Sequence, residues 1–224
     1  VDDQKVRDAA RMMSEKLHAY GWEYINIDDG WEAPERTKGG EILSNDKFPD
    51  FKALTDYIHG LGLKFGIYSS PGATTCGGHV GSYQHEEIDA RTWERWGVDY
   101  LKYDYCGYLD IEKDSKEETI QEPYIVMRNA LDKVKRDIVF CVGYGAPNVW
   151  NWAAEAGGNQ WRTTRDITDE WNVVTAIGTF QDVCTDATAP GRNNDPDMLV
   201  VGKLGQGWGS KVHDSYLTAD EQYS

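Results

Sequence analysis

Val98-Asp99-Tyr100-Leu101-Lys102-Tyr103-Asp104-Tyr105-Cys106 is the stretch of sequence that decides the fold. Residues 98–103 predict a short buried strand, and Asp104 lies just beyond its carboxyl end. In a β/α barrel the active site is built from the loops at the carboxyl ends of the strands. The stretch therefore predicts a parallel strand and a carboxylate where such a barrel holds its reactive groups.

Helical and strand patterns alternate along the rest of the chain. A helical stripe of apolar residues runs from Val6 to Tyr20, after Asp2 and Asp3. Further helices are predicted near 51–61, 86–96, 120–134, 149–156 and 169–180, and strands at 23–28, 63–68, 98–103, 138–142, 160–163 and 198–201. Such alternation is typical of a parallel sheet with helices outside it. We therefore predict an α/β fold, a (β/α)8 TIM barrel, with an open α/β sheet as the alternative.

The number of strands indicates an incomplete barrel. About six βα units are present, whereas a closed barrel has eight strands. Near the end of the chain, Thr218-Ala219-Asp220-Glu221 forms the capping-box pattern that begins a helix. We expect residues 1–224 to be a single catalytic barrel domain that lacks the first strand and the last unit.

Composition limits the class of ligand. With 224 residues and 40% apolar residues, the chain can bury a sizeable core. No apolar run approaches the ~20 residues of a membrane span. The net charge of −15 argues against nucleic acid as a partner and is compatible with a neutral sugar. Nine Trp and thirteen Tyr supply faces that stack on sugar rings, although packing in the core is the default role of each one.

The four cysteines suggest one disulfide rather than a metal site. They lack CxxC spacing, which argues against zinc. Cys76 and Cys106 follow consecutive predicted strands and would be neighbours on the rim of a parallel barrel. A bridge between them would close a loop of roughly thirty residues, stabilise the fold by ~3–4 kcal/mol and indicate an oxidising compartment. The sequence alone leaves the connectivity open.

Charged and aromatic side chains follow the first three predicted strands. Asp28 and Asp29 are adjacent acids that could bind a metal or two vicinal hydroxyls, or simply cap a turn before a glycine. Tyr68 ends the second strand as a rim aromatic. Lys102 lies on the same face of its strand as Asp104, because side chains alternate with period two. A lysine there would keep that carboxylate ionised, unless the two form a purely structural ion pair.

Two further groups of acids follow the later strands. Asp166 comes after the predicted strand 160–163, where it could instead cap the following helix. Two carboxylates on separate strand ends are the minimum requirement for cleaving a glycosidic bond. Asp195 and Asp197 flank Pro196, a pattern that also fits a tight turn.

Taken in order, these segments resemble glycoside hydrolase family 27 of clan D. The segments are Ile27-Asp28-Asp29-Gly30-Trp31, Gly66-Ile67-Tyr68, the run from Trp96 to Cys106, Trp161-Arg162 with Asp166-Ile167, and Asn194-Asp195-Pro196-Asp197-Met198. This is the family of α-galactosidases and α-N-acetylgalactosaminidases. The resemblance covers nearly the whole chain, and it implies a barrel that is normally followed by a β-sandwich domain, which we expect to lie outside residues 1–224.

The resemblance implies a retaining double displacement without metal or cofactor. Asp104 matches the nucleophile and Asp166 matches the general acid/base, whose carboxyl groups should lie about 5–5.5 Å apart. Asp28 and Asp29 match the pair that binds the 4- and 6-hydroxyls of galactose. The remaining matches are Tyr68 beside the nucleophile, Lys102 on sugar hydroxyls, Arg162 and Asp197 near the 2-hydroxyl, and the rim disulfide Cys76–Cys106.

One position departs from the usual α-galactosidase pattern. Gly143 stands where those enzymes place a Glu or Gln that fills the pocket for the 2-substituent. Together with Ala146 it could leave room for a 2-acetamido group. We expect an enzyme that removes terminal α-galactose. An α-N-acetylgalactosaminidase and an inactive fragment are the alternatives.

The sequence also gives expectations for the binding partners and the cellular location of the protein. The expected partner is an α-galactoside carbohydrate, with neither nucleic acid nor membrane, and a homo-oligomer is left open. The disulfide favours a secreted or periplasmic protein. Asn-x-Ser/Thr sequons do not occur in the sequence, which favours a bacterial over a lysosomal protein.

Overall fold

Parallel strands alternate with helices in the computed structural model, which describes residues 1–145, 147–198, 217–218 and 220–221. The helices are α1 (Asp3–Lys16), α2 (Phe51–Gly60), α3 (Glu86–Trp96), α4 (Tyr108–Ile111), α5 (Glu117–Leu131) and α6 (Trp171–Phe180). The strands are β1 (Tyr24–Asn26), β2 (Lys64–Ser69), β3 (Tyr100–Tyr103), β4 (Val139–Val142), β5 (Gln160–Arg162) and β6 (Asn193–Asp195). The first five predicted strands are therefore present, and the sixth strand of the described chain lies in a different segment from the one predicted.

The chain divides into two units. The first contains residues 1–143 and 155–158, and the second contains residues 144–154 and 159–224. In the first unit β1, β2, β3 and β4 form a parallel sheet in sequence order, with Tyr68 in register with Lys102. In the second unit β5 and β6 pair in parallel, with Arg162 opposite Asp195. Both units thus have the parallel pairing that the alternating pattern predicts.

Both faces of β2 and β3 are largely buried, which explains why the sequences of these strands are nearly continuous apolar runs. From Phe65 to Ser69 every residue of β2 is buried. Trp31, Phe51 and Trp96 pack together, with ring centroids 5.0–5.8 Å apart. A strand covered on both faces loses the alternation of a half-exposed strand. The helices that cover the sheet therefore account for the sequence pattern.

Four helix ends carry residues that commonly cap helices. Asp2 caps α1 by accepting a hydrogen bond from the Lys5 amide, and Asp50 caps α2 through the Ala53 amide. Gly97 ends α3 in the left-handed conformation. At residues 218–221 the expected capping box is formed, because the Thr218 amide donates to Glu221 and the Glu221 amide donates to the Thr218 hydroxyl.

The last predicted strand, 198–201, falls mostly outside the described residues. Met198 lies outside any strand, and residues 199–201 lie outside the described part of the chain. The structure adds the strand Asn193–Asp195, in a segment whose polarity predicts a turn. The Asn194 side chain has partners on both sides: it accepts from Trp161 Nε1 at 2.7 Å and donates to the Cys184 carbonyl at 2.9 Å. These tertiary contacts override the low strand propensity of Asn and Asp.

Candidate functional site

In the first unit, the carboxyl ends of four consecutive parallel strands carry the predicted site residues. Asp28 follows β1, Tyr68 is the penultimate residue of β2, Asp104 follows β3 and Gly143 follows β4. Parallel strands end at the same edge of a sheet, so this chain order brings distant residues together. Contacts link the side chains of Asp28, Tyr68 and Asp104, with Lys102 lying between Asp28 and Tyr68.

Asp104 is held by three hydrogen-bond donors. Its Oδ1 accepts from the Tyr105 amide at 2.7 Å, and its Oδ2 accepts from the Tyr68 hydroxyl at 3.0 Å. Its own carbonyl accepts from the Tyr124 hydroxyl at 3.1 Å, and its amide donates to the Ser69 carbonyl. The carboxylate is therefore held by the Tyr68 hydroxyl of β2 and the Tyr105 amide, and the backbone of Asp104 is held by α5 and β2.

Burial governs the charge of Asp104. Desolvation raises the pKa of this carboxyl group, while the Tyr105 amide, Lys102 and the Tyr68 hydroxyl lower it and Asp28 raises it further. The net direction is upward. Lys102 therefore favours the ionised form, as expected, but does not outweigh burial.

Lys102 forms its ion pair with Asp28 rather than with Asp104. Its Nζ lies 2.7 Å from Asp28 Oδ2 and 5.4 Å from the centroid of the Tyr68 ring. The lysine side chain is 23% exposed and the Asp28 side chain is 49% exposed, so solvent screens the pair in part. Through this pair the loop after β1 is joined to β3.

Asp29 is anchored by the loop that carries the disulfide. Its Oδ2 accepts from the Gly77 amide at 2.6 Å. The neighbouring Trp31 is 1% exposed and donates from Nε1 to the Tyr68 carbonyl at 2.9 Å. The two adjacent carboxylates therefore point to different partners and are held by different elements.

The expected disulfide is present between Cys76 and Cys106. Cys76 Sγ lies 3.0 Å from the Tyr68 hydroxyl, the same hydroxyl that contacts Asp104. Among the described residues, Cys76, Cys106 and Asp104 are the group with the spacing of metal ligands. Because both sulfurs are bonded to each other, they are not available as thiolates.

Gly143 has a structural reason to be glycine. Its amide donates to the Tyr103 carbonyl at 2.7 Å. A Cβ at this position would lie 3.0 Å from that oxygen and 3.2 Å from the Asp104 Cα. The close approach of β4 to the end of β3 thus explains the glycine without any substrate pocket. Ala146, the other small residue of the expected pocket, lies outside the described residues.

A cavity of about 830 Å³ adjoins the loop after β1. It is lined by α1, by β1 and by residues 28–31, and His79 contributes to its wall. Tyr68, Lys102 and Asp104 do not line it. The cavity therefore reaches the predicted site only at the paired acids Asp28 and Asp29.

In the second unit, Arg162 joins two predicted site acids. Its Nη2 lies 3.0 Å from Asp166 Oδ1 and 3.2 Å from Asp197 Oδ2. Arg162 and Asp197 are 5% and 8% exposed, whereas the Asp166 side chain is 50% exposed. Burial opposes the charge of Arg162, but the carboxylates of Asp197 and Asp166 outweigh it and raise the pKa of the guanidinium. Asp166 thus offers solvent a carboxylate that the arginine orients.

The turn after β6 orients Asp197. The Asp197 amide donates to Asp195 Oδ1 at 2.8 Å, which is the expected Asx turn. Asp197 adopts a left-handed backbone with φ of 78° and accepts from the Ile167 amide at 2.9 Å. Helix α6 begins after Glu170, so Asp166 is not its cap.

Three residues with direct roles in this arrangement were missed by sequence reasoning. Tyr124 contacts the Asp104 backbone, Trp31 supports Tyr68, and Glu32 is buried in the loop that carries Asp28 and Asp29. Tyr124 belongs to the apolar stripe of the predicted helix 120–134, and Trp31 ends the segment Ile27–Trp31. For both aromatic residues, packing in the core is the default prediction. Glutamate is usually exposed, so nothing in the sequence marked Glu32.

None of the helices that the structure describes has the length and apolar character needed to cross a membrane.

Parallel strands that alternate with helices, with carboxylates at the strand ends, place the chain in the β/α-barrel class, and solved structures of this class resemble it. The structure of α-galactosidase I from Mortierella vinacea superposes with a TM-score of 0.85 and 36% identity, over 92% of this chain and 57% of that one. A putative alpha-galactosidase/melibiase from Bacteroides fragilis also gives 0.85, with 41% identity over 92% of this chain and 45% of that one.

Sequence comparison gives the family. The family model described as alpha galactosidase A matches residues 2–219. An α-galactosidase from Cyamopsis tetragonoloba is 43% identical over 212 residues, which are 92% of this chain and 49% of that protein. The chain belongs to this family, glycoside hydrolase family 27. It spans about half the length of the relatives it matches.

Proposed function

We propose that the protein is a retaining α-galactosidase that removes terminal α-linked galactose from oligosaccharides or glycans. The observation that carries the proposal is the environment of Asp104, a half-buried carboxylate at a strand end that two donors hold, while a third donor holds its backbone carbonyl. A nucleophile needs a fixed direction of attack, and these contacts supply it. Relatives that are 36–43% identical and named α-galactosidases support the choice of galactose.

In the proposed mechanism Asp104 and Asp166 have separate roles. Asp104 attacks the anomeric carbon while Asp166 gives a proton to the leaving oxygen, so that a glycosyl ester forms on Asp104 and the aglycone departs. Asp166 then removes a proton from water, which displaces the ester and releases galactose with retained configuration. The half-exposed carboxyl of Asp166 is open to the water that the second step needs.

Substrate recognition is assigned to charged groups around Asp104. Asp28, Asp29 and Lys102 are proposed to bind sugar hydroxyls, with the Lys102–Asp28 pair fixing the direction of both side chains. Tyr68 borders the nucleophile, and Gly143, Arg162 and Asp197 are proposed for the side of the 2-substituent. No metal or cofactor has a role in this proposal.

The proposal extends to the domain, the compartment and the choice of substrate. Residues 1–224 act as the catalytic barrel domain, and the disulfide supports a secreted or periplasmic protein. An α-N-acetylgalactosaminidase is the second candidate. The structural reason for Gly143 weakens it, because the glycine is explained by packing alone. Relative cleavage of the nitrophenyl α-galactoside and its 2-acetamido analogue decides between the two.

Azide rescue tests both catalytic roles. For Asp104→Ala we expect turnover of an activated α-galactoside to be lost, and azide to restore it with β-galactosyl azide as product, because azide attacks from the face of the missing carboxylate. For Asp166→Ala we expect α-galactosyl azide, because azide then replaces water in the second step. Failure of azide to rescue either variant, or exchange of the two products, would refute the assignment.

A further inference from the structure

Glu32 is a buried acid in the loop that presents Asp28 and Asp29. It is 2% exposed, although it follows β1 by only six residues and belongs to a polar segment. The proposed reaction gives it no role. Burial of a carboxyl group costs free energy, because it disfavours the charged form. The contacts of Glu32 indicate what it does.

Glu32 fixes the backbone of the residue after the paired acids. Its Oε2 accepts from the Gly30 amide at 3.0 Å, and Gly30 has a left-handed φ of 96°. Asn45 supports the same turn by donating from Nδ2 to the carbonyls of Gly30 and Glu32, at 2.9 and 3.3 Å. Removal of the Glu32 acceptor would therefore leave the Gly30 amide without this partner, in a turn that only glycine adopts readily.

Two carboxylate oxygens in this loop have no hydrogen-bond partner among the described residues. They are Glu32 Oε1 and Asp29 Oδ1, and both are buried. Two ionised carboxylates in one poorly solvated loop would repel each other with little compensation. A proton on Glu32 removes one of the two charges and leaves that of Asp29 for a ligand.

We propose that Glu32 is a positioning residue that acts as a neutral carboxylic acid, holding the Gly30 turn so that Asp28 and Asp29 face the sugar. The proposal rests on the proposed function, since it assigns these acids to sugar hydroxyls. Glu32 itself does not touch the substrate. Burial, and next to it the charge of Asp29, raise the pKa of Glu32 to about 8, although neighbouring amides lower it.

The charged groups around the loop come from three elements. Asp28 and Asp29 belong to the loop itself, Lys102 of β3 pairs with Asp28, and the His79 ring lies against Gly30 from the segment after β2. None of these contacts supplies a described hydrogen bond to Glu32 Oε1. Ionisation of Glu32 above pH 8 should therefore place a second negative charge beside Asp29, and the repulsion should displace Asp29 and weaken substrate binding without a direct effect on the nucleophile.

Glu32→Gln tests the proposal, because glutamine keeps the shape of the neutral acid and cannot ionise. We expect the wild-type KM for an α-galactoside to rise above pH 8, roughly tenfold by pH 9, with kcat little changed. The Glu32→Gln variant should keep its neutral-pH KM over the same range. Glu35→Gln, the same change at an exposed acid three residues along, should follow the wild-type curve. Identical alkaline KM curves for wild type and Glu32→Gln would overturn the proposal.

Two measurements without substrate separate this proposal from the proposed function. Infrared spectra should show a protonated carboxyl band in the wild type at pH 7 that is lost by pH 9 and is missing in Glu32→Gln. Because the folded-state pKa is raised, wild-type melting temperature should fall as pH rises from about 4.5 to about 8, and it should fall less in the variant. Absence of the band at pH 7 would overturn the proposal. A protein with this band that cleaves no α-galactoside would refute the proposed function instead.

Discussion

Single residues at the end of β3 experience opposing electrostatic effects. Asp104 is destabilised as an anion by burial, and it is stabilised by an amide, a lysine and the Tyr68 hydroxyl. A buried carboxylate is usable as a nucleophile only while such donors keep it ionised. The donors are therefore as important to the proposed reaction as the carboxylate.

Tyr68→Phe should impair the nucleophile with little effect on folding. Loss of one hydrogen bond to a charged group costs about 1.5–3 kcal/mol, so kcat/KM should fall roughly 10- to 100-fold. The hydroxyl lowers the pKa of Asp104, so its removal should move the acidic limb of the pH profile to higher pH. Tyr20→Phe, at an 80% exposed tyrosine, is the control. An unshifted acidic limb would show that the bond does not control Asp104.

Gly143→Ala should destabilise the protein because the new Cβ meets the Tyr103 carbonyl and the Asp104 Cα. Overpacking of this kind costs about 1–3 kcal/mol, and we expect turnover to fall as Asp104 is displaced. Gly178→Ala is the matched control: it lies in α6 with nothing within 4 Å of its Cβ, and should gain about 0.5–1 kcal/mol. Urea unfolding of both variants makes the comparison. Equal stability of Gly143→Ala and wild type would contradict the packing explanation.

The sequence predicted which residues lie at the strand ends but not their partners. The positions of Asp28, Tyr68 and Asp104 were predictable because each lies at or just after the end of an apolar run that predicts a strand. The choice of Asp28 rather than Asp104 as the partner of Lys102 depends on distances across β1 and β3, which one-dimensional patterns do not contain. The burial of Glu32 depends on the strand bridge between Glu32 and Ser44, a pairing that residue type does not reveal.

At the scale of elements, Asp99 joins segments at the amino end of β3. It accepts from His59 Nε2 at 2.7 Å and from the Phe65 amide at 2.9 Å, and it forms an ion pair with Arg136. These partners belong to α2, β2 and the segment after α5. One partly buried carboxylate therefore ties three elements together at the edge of the sheet opposite Asp104.

Asp99→Asn should destabilise the fold without changing the chemistry. Breaking a fully buried charge pair costs 3–5 kcal/mol, and we expect about 2–3 kcal/mol here because the Asp99 side chain is 14% exposed. The kcat of the folded variant should stay at the wild-type value, because residues at the amino ends of barrel strands contribute to stability and the reaction takes place at the carboxyl ends. Asp110→Asn, at an exposed acid, is the control. A lower kcat with unchanged urea stability would contradict this assignment.

Elements that the sequence did not predict are those governed by tertiary contacts. Helix α4 and the 3-10 helix Gln181–Ala187 are short and carry no periodic signal. Strand β6 is polar and depends on Trp161 and Cys184 for the partners of Asn194. Helix α5 spans Glu117–Leu131, three residues earlier at both ends than its apolar stripe indicated. Long amphipathic helices were predictable because burial of one face imprints a helical period on them, and buried parallel strands were predictable because they are short continuous apolar runs.

At the scale of the whole molecule, removal of the disulfide should lower both stability and activity. Cys76 and Cys106 are 30 residues apart, so a Cys76→Ser, Cys106→Ser variant should lose ~3–4 kcal/mol in urea unfolding. Activity should also fall, because the bridged loop supplies the Gly77 amide to Asp29. A dithiol should affect the wild type in the same way and leave the variant unchanged. Full activity and stability after complete reduction would contradict the prediction.

The Tyr68 hydroxyl has one proton and two acceptors, Asp104 Oδ2 and Cys76 Sγ, each at 3.0 Å. While Asp104 is an anion, the carboxylate is the stronger acceptor. Once Asp104 becomes a glycosyl ester in the proposed reaction, its charge is gone and the proton can rotate toward the sulfur. The disulfide thus gives the phenol a second resting orientation, so the hydroxyl keeps a partner through both halves of the catalytic cycle.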